Sequence, residues 1–348
     1  MKKIATFTFN RANNYGAMLQ CYALKTVLKA LGSPTSVINY KPKARFFSLR
    51  EFIKKTIFLP WLIHVNHQFE KFRKPYLTDM PFIKRNRLQD LNNQFDCFIT
   101  GSDQVWNMDG SGYDTSYLLD FISVNNKKYS YAASIGKAQL DSKEKELLSR
   151  YLKLFQVVSV REKSAVALAK ELSGNNEVRS DLDPTLLLGK EEWSKVAVPP
   201  KEKDYILLYL MNNNPAIRNF ARSLAQKKGL KLILLSTSPL PYRGIKITCP
   251  TPQEWVGYFM NAKYIVTNSF HGLAFSINFN KDFFIDLLPP PAKVNSRLQD
   301  LLALTNLENR LICNGANWDL PRPEWKKINE KLSTEKEKSL AYLRSISQ

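Results

Sequence analysis

The chain has 348 residues, of which 44% are hydrophobic and 24% charged, a composition typical of a soluble globular protein with about two domains. No stretch approaches the roughly 20 apolar residues of a membrane span, and the N-terminal segment MKKIATFTFN lacks the apolar core of a signal peptide, so we expect a cytoplasmic protein. Lys and Arg number 51 against 31 Asp and Glu, and the resulting net charge of +20 predicts an anionic partner: nucleic acid, an anionic membrane or a phosphorylated substrate.

Strand and helix patterns alternate over the first 190 residues. A strand at 4–9 is followed by a polar loop and by a helix at 17–31, with Gly32 at the position of a C-terminal cap. Further strands are predicted at 37–40, 95–100, 129–135 and 157–160, and further helices at 142–155 and 162–172. Because strands that alternate with helices indicate a parallel sheet, residues 1–190 are predicted to form one α/β domain.

A basic insert interrupts this pattern at about residues 41–87. It contains twelve Lys or Arg against three Asp or Glu, a net charge of +9, and aromatic and aliphatic side chains lie between the charges. A basic segment with an apolar face can lie on an anionic membrane. The alternative is a helical hairpin whose apolar side packs on the domain.

The charged segment 189–204 contains two adjacent prolines and is predicted to be an interdomain linker. The alternation then restarts, and residues 251–254 begin a helix with a capping box and a proline at the first helical position. We predict a second doubly wound domain at 205–322 and a C-terminal helix at 323–348. Two such halves joined by a linker imply a cleft between them, the usual position of a ligand.

The segment KYIVTNSFHGLAFSINFN, residues 263–280, carries the clearest functional signal. An apolar strand leads through a short polar loop into a helix, and such a helix start presents free N–H groups and a positive dipole end to an anion. His271, one of three histidines, lies in this turn, where open α/β sheets place their ligands. A titratable group there predicts acid–base chemistry on an anionic substrate. The alternative is a polar N-cap region with a buried, hydrogen-bonded histidine.

Two polar loops in the first half suggest a second binding site. After the first strand, Asn14 and Gly16 precede a helix that offers its N–H groups, although a plain strand-to-helix turn would look the same. The loop GSDQVWN at 101–107 suits a sugar, because Asp103 and Gln104 can bind hydroxyls and Trp106 offers an apolar face. Asp103 can also act as a base. The alternative is a loop held by its own hydrogen bonds.

Cationic side chains also follow strands. Arg161 comes directly after the strand at 157–160, where a guanidinium can bind carboxylate or phosphate. The alternative is a salt bridge with Glu162 or Asp183. Lys293 and Arg297 follow the histidine loop along the chain and would complete a cationic pocket for a small, highly charged anion.

The motifs of several common enzyme classes are absent. No GxGxxG, P-loop, HExxH or GxSxG occurs, which argues against dinucleotide-dependent enzymes, NTPases, zinc proteases and α/β-hydrolases. The four cysteines are scattered without a CxxC pair, so we expect neither a metal site nor a disulfide framework. The charge leaves a nucleic-acid-binding protein as a third interpretation, but no recognition-helix, RRM or finger signature supports it.

Seven segments, in this order and spacing, resemble the polysaccharide pyruvyl transferase family over about residues 4–312. They are NNYGAMLQCYAL (13–24), DCFITGSDQVWN (96–107), YSYAASIG (129–136), SVREKSA (159–165), SDLDPTLLL (180–188), TNSFHG (267–272) and AKVNSRLQDLL (292–302). The resemblance implies a GT-B-like fold, with two Rossmann-like doubly wound domains facing a cleft, the first on the acceptor side and the second on the donor side. It also implies transfer of a pyruvyl group from phosphoenolpyruvate, without a cofactor, onto a sugar as a cyclic ketal.

The resemblance assigns donor-site residues at Arg161, His271 and Lys293, with Ser269 and Arg297 expected beside them. Many members carry Arg-Leu before the His-Gly pair, where this chain has Ser-Phe, so either Arg297 or Lys293 substitutes for that cation or the donor contacts differ. His271 is the expected acid.

On the acceptor side, Asp103 is the expected base, and the expected acceptor-binding residues are Asn14, Gly16, Gln104 and Trp106. The expected acceptor is a sugar of a surface polysaccharide or of its lipid-linked precursor. We expect no nucleic-acid partner, and we expect the basic insert to make peripheral contact with the inner face of an anionic membrane. The alternative function is a nucleotide-sugar glycosyltransferase of the same fold.

Overall fold

The structure is a computed structural model, and it describes residues 1–42, 56–137, 139–174, 177–212, 214–238, 245–288, 295–315 and 318–348. The chain divides into two compact units. The first comprises Met1–Phe46, Arg73–Leu187 and Ser333–Gln348, and the second comprises Phe47–Phe72 and Leu188–Leu332. These bounds differ from the predicted domains, because part of the basic insert groups with the second unit and most of the C-terminal helix groups with the first.

The first unit contains a six-stranded sheet in the order β2-β1-β3-β4-β5-β6. Every recorded strand pair in it is parallel. The strands are β1 (Ile4–Phe7), β2 (Thr35–Val37), β3 (Cys97–Thr100), β4 (Lys128–Ser130), β5 (Val157–Val160) and β6 (Glu177–Ser180). β1 and β3 are buried along their whole length, as expected for strands that helices cover on both faces.

Helices connect these strands and cover the sheet. In the first unit they are α1 (Tyr15–Ala30), the C-terminal end of α2 (Leu59–Leu77), α3 (Met108–Ser111), α4 (Ser142–Leu152) and α5 (Val166–Ser173). The side chain of Asn14 caps α1 by accepting from the Ala17 N–H at 3.0 Å. Gly32 follows the helix with φ of +91°, a conformation that favours glycine and confirms the predicted end.

The second unit contains a five-stranded sheet in the order β11-β10-β7-β8-β9, and every recorded pair is again parallel. Its strands are β7 (Tyr205–Tyr209), β8 (Lys231–Leu235), β9 (Lys246–Thr248), β10 (Tyr264–Thr267) and β11 (Asp282–Ile285). Its helices are α6 (Lys190–Ser194), α7 (Pro215–Lys228), α8 (Pro252–Asn261), α9 (Phe270–Asn278) and α10 (Ser296–Thr305), and α11 (Trp325–Ser347) begins here. The predicted capping box of α8 is present between Thr251 and Glu254.

The described part of the basic insert forms the single helix α2 and a 3-10 helix, Arg85–Leu91. The aromatic side chains of Phe69 and Phe72 are fully buried, so one face of α2 packs on the protein. Trp61 donates from Nε1 to the Thr237 carbonyl oxygen at 2.8 Å within the second unit. The apolar side of the insert is therefore partly buried, as its alternative interpretation required. Residues 43–55 lie outside the described residues.

The predicted interdomain linker at 189–204 is instead packed within the second unit. It contains α6, whose Trp193 is fully buried and contacts the Phe275 ring of α9 with centroids 4.9 Å apart. Further along, the Val198 N–H donates to the Gln253 carbonyl oxygen at 3.0 Å. The charge and the adjacent prolines predicted a linker that does not pack on either domain, but the buried indole of Trp193 packs this segment against the core. None of the described helices is long and apolar enough to cross a membrane.

This packing generates a test at Gly257 in α8. A Cβ atom there would lie 1.9 Å from the Val198 carbonyl oxygen, so backbone would have to move. We expect Gly257→Ala to lower the free energy of unfolding by about 1–3 kcal/mol, the usual cost of overpacking, despite the better helix propensity of alanine. Urea denaturation measures the change. Gly110→Ala is the control, because its Cβ would meet no atom closer than 3.8 Å. A Gly257→Ala protein as stable as the wild type would contradict this packing.

Candidate functional site

Each parallel sheet has one position where the chain reverses the direction in which it adds strands. In the first sheet this switch point lies between β1 and β3, and in the second it lies between β7 and β10. The loops that leave the carboxyl ends of two such strands run to opposite faces of the sheet, and they leave a crevice in which α/β proteins bind ligands.

In the second unit, Asn268 joins the loops after β7 and β10. Its Oδ1 accepts from the Met211 N–H at 2.8 Å, and its Nδ2 donates to Asn212 Oδ1 at 2.7 Å. Thr267 Oγ1 donates to the Tyr209 carbonyl oxygen at 2.6 Å, so the ends of the two strands are also joined directly. These hydrogen bonds hold together the two loops that form the base of the second crevice. Asn268 stands in the TNSFHG segment but was not predicted as a site residue.

His271 lies in the first turn of α9, which starts at this switch point, and only 7% of it is exposed. Ser269 is the N-cap, and its hydroxyl accepts from the Gly272 N–H at 3.4 Å. A Cβ atom on Gly272 would lie 2.3 Å from Thr267 Oγ1, so glycine permits the close approach of helix and strand. The strand-to-helix turn therefore has the predicted geometry, with the imidazole at the positive end of a helix.

Arg297 lies in the first turn of α10 and is 8% exposed. Its guanidinium carbon is 6.0 Å from the centre of the Phe270 ring, and Phe270 is the first residue of α9. The structure thus brings Arg297 next to the helix start that carries His271. Lys293 lies outside the described residues.

Asp286 also lies at this edge, one residue after β11, and the prediction missed it. Its Oδ2 accepts from Asn214 Nδ2 at 3.2 Å, and Asn214 is the N-cap of α7. Burial and, after it, the nearby charge of Asp286 raise the pKa of the Cys313 thiol. A polar residue directly after an apolar strand was the only available signal for Asp286.

In the first unit, the loops after β1 and β3 meet at the other switch point. Thr8 Oγ1 donates to the Ser102 carbonyl oxygen at 2.8 Å and accepts from Gln20 Nε2 of α1 at 3.0 Å. Asp103 follows with φ of +78°, and its carbonyl oxygen accepts from the Ser134 N–H at 2.9 Å. Asp103 and Gln104 are partly exposed, so both remain accessible at this crevice.

Arg161 is not the open anion anchor that was predicted. Its side chain is 2% exposed, and Nη1 donates to Asp183 Oδ2 at 2.9 Å, while Nε lies 3.6 Å from Glu162 Oε1. Burial alone would lower the pKa of the guanidinium, but the carboxylates of Glu162, Asp183 and Asp103 outweigh it and raise the pKa. Parallel pairing of β5 with β6 places Asp183 beside Arg161, so the salt-bridge alternative is correct.

Trp106 cannot offer its face to a sugar. The residue is fully buried, its Nε1 donates to the Tyr117 carbonyl oxygen at 3.1 Å, and its ring contacts Phe155. Asn107 caps α3 immediately after it, and this turn directs the indole into the core. The predicted acceptor role of Trp106 is therefore wrong. Gly16 is also buried, in the first turn of α1.

Arg73, at the end of α2, was missed by the prediction. It is 2% exposed, and it donates to the Asn10 carbonyl oxygen at 3.1 Å and to Asn13 Oδ1 at 3.0 Å. The basic insert therefore orders the loop after β1 that leads to Asn14. A single arginine among twelve basic residues gave no signal of this role. Among the described residues, no group of three or more His, Cys, Asp or Glu side chains could hold a metal ion.

Comparisons with known proteins agree with this architecture. An α-glucosyltransferase in complex with UDP superposes with a TM-score of 0.51 at 9% identity, covering 99% of this chain and 95% of that one. The complex of S. aureus MnaA with UDP gives a TM-score of 0.50 at 13% identity, covering 96% and 87%. No curated protein sequence matches the chain. At these identities the similarity shows the fold alone.

Two parallel, doubly wound sheets, each with polar loops at its switch point, place the protein in the GT-B-like class, which confirms the predicted fold. The family model for polysaccharide pyruvyl transferase matches residues 14–285, most of the chain. The chain therefore belongs to the polysaccharide pyruvyl transferase family. It is a transferase of polysaccharide biosynthesis.

The buried charge cluster generates a stability test. Arg161→Met would leave the carboxylates of Asp183 and Glu162 buried without their cation, so we expect a loss of about 3–5 kcal/mol in the free energy of unfolding. Arg150→Met is the matched control, because that guanidinium pairs with Glu146 on the surface, with 62% of its side chain exposed. It should cost no more than about 1 kcal/mol. Equal losses in the two variants, measured by urea denaturation, would show that Arg161 does not hold the cluster.

Proposed function

We propose that the protein transfers a pyruvyl group from phosphoenolpyruvate to a sugar of a surface polysaccharide or of its lipid-linked precursor. The observation that carries this proposal is the position of His271, in the first turn of α9 at the switch point of the second sheet. Arg297 lies beside the same helix start. Family membership supplies the class of reaction.

The second unit is the donor side in this proposal. Phosphoenolpyruvate carries about three negative charges near neutral pH, and a helix N-terminus with a neighbouring guanidinium favours such an anion. Ser269 and Arg297 are the described donor-binding residues, and Lys293 is expected to join them. In this proposal Arg297 takes the place of the arginine that many family members carry two residues before the histidine.

His271 is the acid of the reaction. It gives a proton to the methylene carbon of phosphoenolpyruvate, which becomes a methyl group and leaves a cation-like centre at C2. A sugar hydroxyl adds to C2 and loses its proton to a base. The C2–O bond to phosphate then breaks, a second hydroxyl of the sugar adds to C2 and closes the ketal, and its proton passes to the departing phosphate, which leaves as inorganic phosphate. A positioned acid contributes about 10²–10⁴-fold to such a rate.

The first unit is the acceptor side. Asp103 is proposed as the base that takes the hydroxyl proton, since it is partly exposed and its loop is held by Ser134. Gln104 is available for hydroxyl groups, and Asn14 and Gly16 belong to the helix start at the same switch point. That donor and acceptor meet in one shared cleft remains a prediction.

A nucleotide-sugar glycosyltransferase is the second candidate, because the two solved structures named above are complexes with UDP. The two functions differ in the donor that stabilises the protein. A ligand that binds only the folded state raises the melting temperature, so phosphoenolpyruvate, a UDP-sugar and phosphate can be compared side by side. A shift with phosphoenolpyruvate and none with the UDP-sugar supports pyruvyl transfer. The reverse result supports the alternative.

The acid role of His271 can be tested by substitution. We expect His271→Gln to abolish turnover while weakening phosphoenolpyruvate binding only slightly, because the acid is lost and the helix start is kept. Arg297→Gln should mainly weaken donor binding, by about 1.5–3 kcal/mol for a lost charged hydrogen bond. Phosphate release and calorimetric titration measure the two effects.

The matched control for these variants is His67→Gln, since His67 is exposed on α2. It should leave turnover and donor binding unchanged. Full activity of His271→Gln on a natural acceptor would eliminate His271 as the acid.

We also propose that the protein contacts the inner face of an anionic membrane through the start of α2. Four large aliphatic side chains within seven residues are exposed there, by 67%, 51%, 40% and 60%: Ile57, Leu59, Leu62 and Ile63. Contiguous exposed apolar side chains mark interaction sites. The insert carries a net charge of +9, which favours anionic lipid, and a lipid-linked acceptor would bring the substrate to the same surface.

Membrane contact predicts binding to vesicles that contain anionic lipid, and weaker binding at high salt because exposed charges are screened. Leu62→Ser/Ile63→Ser should reduce co-sedimentation, while Val124→Ser, at an exposed aliphatic residue outside the insert, should not. Equal recovery in the supernatant with anionic and neutral vesicles would rule out this role for the helix.

A further inference from the structure

The first unit contains a groove of about 720 Å³ that the reaction above does not use. It lies beside Tyr40, which follows β2, and beside the start of the 3-10 helix Arg85–Leu91. The side chains that line it combine aromatic rings, cations and amides: Tyr40, Lys41, Phe82, Lys84, Asn86 and Gln89.

The groove adjoins the acceptor-side loop after β1. β1 and β2 are neighbouring parallel strands, so the segments that follow them leave the same edge of the sheet. Arg11, in the loop after β1, donates from Nη1 to Asn39 Oδ1 at 2.8 Å. Its guanidinium carbon also lies 5.7 Å from the centre of the Phe82 ring. A saccharide at the acceptor crevice can therefore continue into the groove.

The groove is cationic because two of its lysines are not neutralised. Arg85 pairs with Asp120, whose carboxylate also accepts from the Thr115 hydroxyl. Within the described part of the chain, neither Lys41 nor Lys84 forms an ion pair. Both lysines are exposed. Two such ammonium groups favour an anion, and lysine is a common phosphate ligand.

The other lining groups suit a sugar. Phe82 is 51% exposed, so its ring can cover the apolar face of a pyranose. Asn86 and Gln89 are exposed amides, which both donate to and accept from hydroxyl groups. Binding sites commonly combine an apolar surface with a few placed polar groups in this way.

We infer that the groove binds an anionic saccharide, a sugar that carries phosphate or carboxylate, as the extension of the acceptor. The inference rests on the proposed function, because it takes the sugar at the first crevice to be the acceptor. The groove then selects acceptors by the charge of the part next to the pyruvylated sugar.

The test uses the full chain and three probes: glucose 1-phosphate, glucuronic acid and glucose. Ligand-observed NMR gives their dissociation constants for the wild type, for Lys41→Gln/Lys84→Gln and for Phe82→Ala. The control is Lys153→Gln/Lys170→Gln, which removes the same charge from exposed lysines of the same unit. Far-ultraviolet circular dichroism checks that each variant is folded.

We expect at least one anionic probe to bind the wild type about tenfold more tightly than glucose, on the scale of one charge-assisted hydrogen bond. Lys41→Gln/Lys84→Gln should lose that preference, the lysine control should keep it, and Phe82→Ala should weaken all three probes. Comparison of the dissociation constants of glucose 1-phosphate and glucuronic acid shows whether the groove prefers phosphate or carboxylate.

Equal binding of the three probes, or a preference that survives in Lys41→Gln/Lys84→Gln, would overturn the inference. If the anionic probe binds on the donor side instead, its preference survives in Lys41→Gln/Lys84→Gln. This variant therefore distinguishes binding in the groove from binding on the donor side. No phosphoenolpyruvate is present. Failure here therefore leaves pyruvyl transfer standing, and failure of pyruvyl transfer leaves this measurement unchanged.

Discussion

Parallel pairing of the strands is the constraint on which the candidate chemistry depends. It places all carboxyl ends of a sheet at one edge, and the reversal of strand order then opens a crevice between β1 and β3 and another between β7 and β10. Hydrogen bonds close the floor of each crevice, from Thr8 to Ser102 in one unit and from Met211 to Asn268 in the other. The helices that start there direct N–H groups and the positive ends of their dipoles toward each crevice.

Different interactions hold the residues around the two crevices. Around Arg161, one buried guanidinium faces the carboxylates of Asp183 and Glu162, which leaves no open cation at that position. Around His271, hydrogen bonds among amides and hydroxyls hold the loops, and the positive end of α9 faces the site. The proposed trianionic donor therefore suits the second unit, and the hydroxyl group of the proposed acceptor suits Asp103 in the first.

Local sequence signals were sufficient for much of the fold. The strand β5 and the capped start of α8 stand where they were predicted, because caps, prolines and hydrophobic patterns are local. β6 and β9 were missed, since these short, polar strands form by pairing with the more apolar strands β5 and β8. The partners of Arg161 and the burial of Trp106 depend on register and packing between distant segments, which one sequence does not encode locally.

Transfer of the three-carbon unit itself tests the central claim most directly. The protein would be incubated with phosphoenolpyruvate labelled with carbon-13 at C2 and a glycan acceptor, and the products would be followed by NMR. Pyruvyl transfer predicts a labelled ketal carbon on the glycan and one inorganic phosphate released for each ketal formed, with no dependence on a nucleotide sugar. Phosphate release with the label remaining in free pyruvate, or sugar transfer that requires a UDP-sugar, would contradict the account.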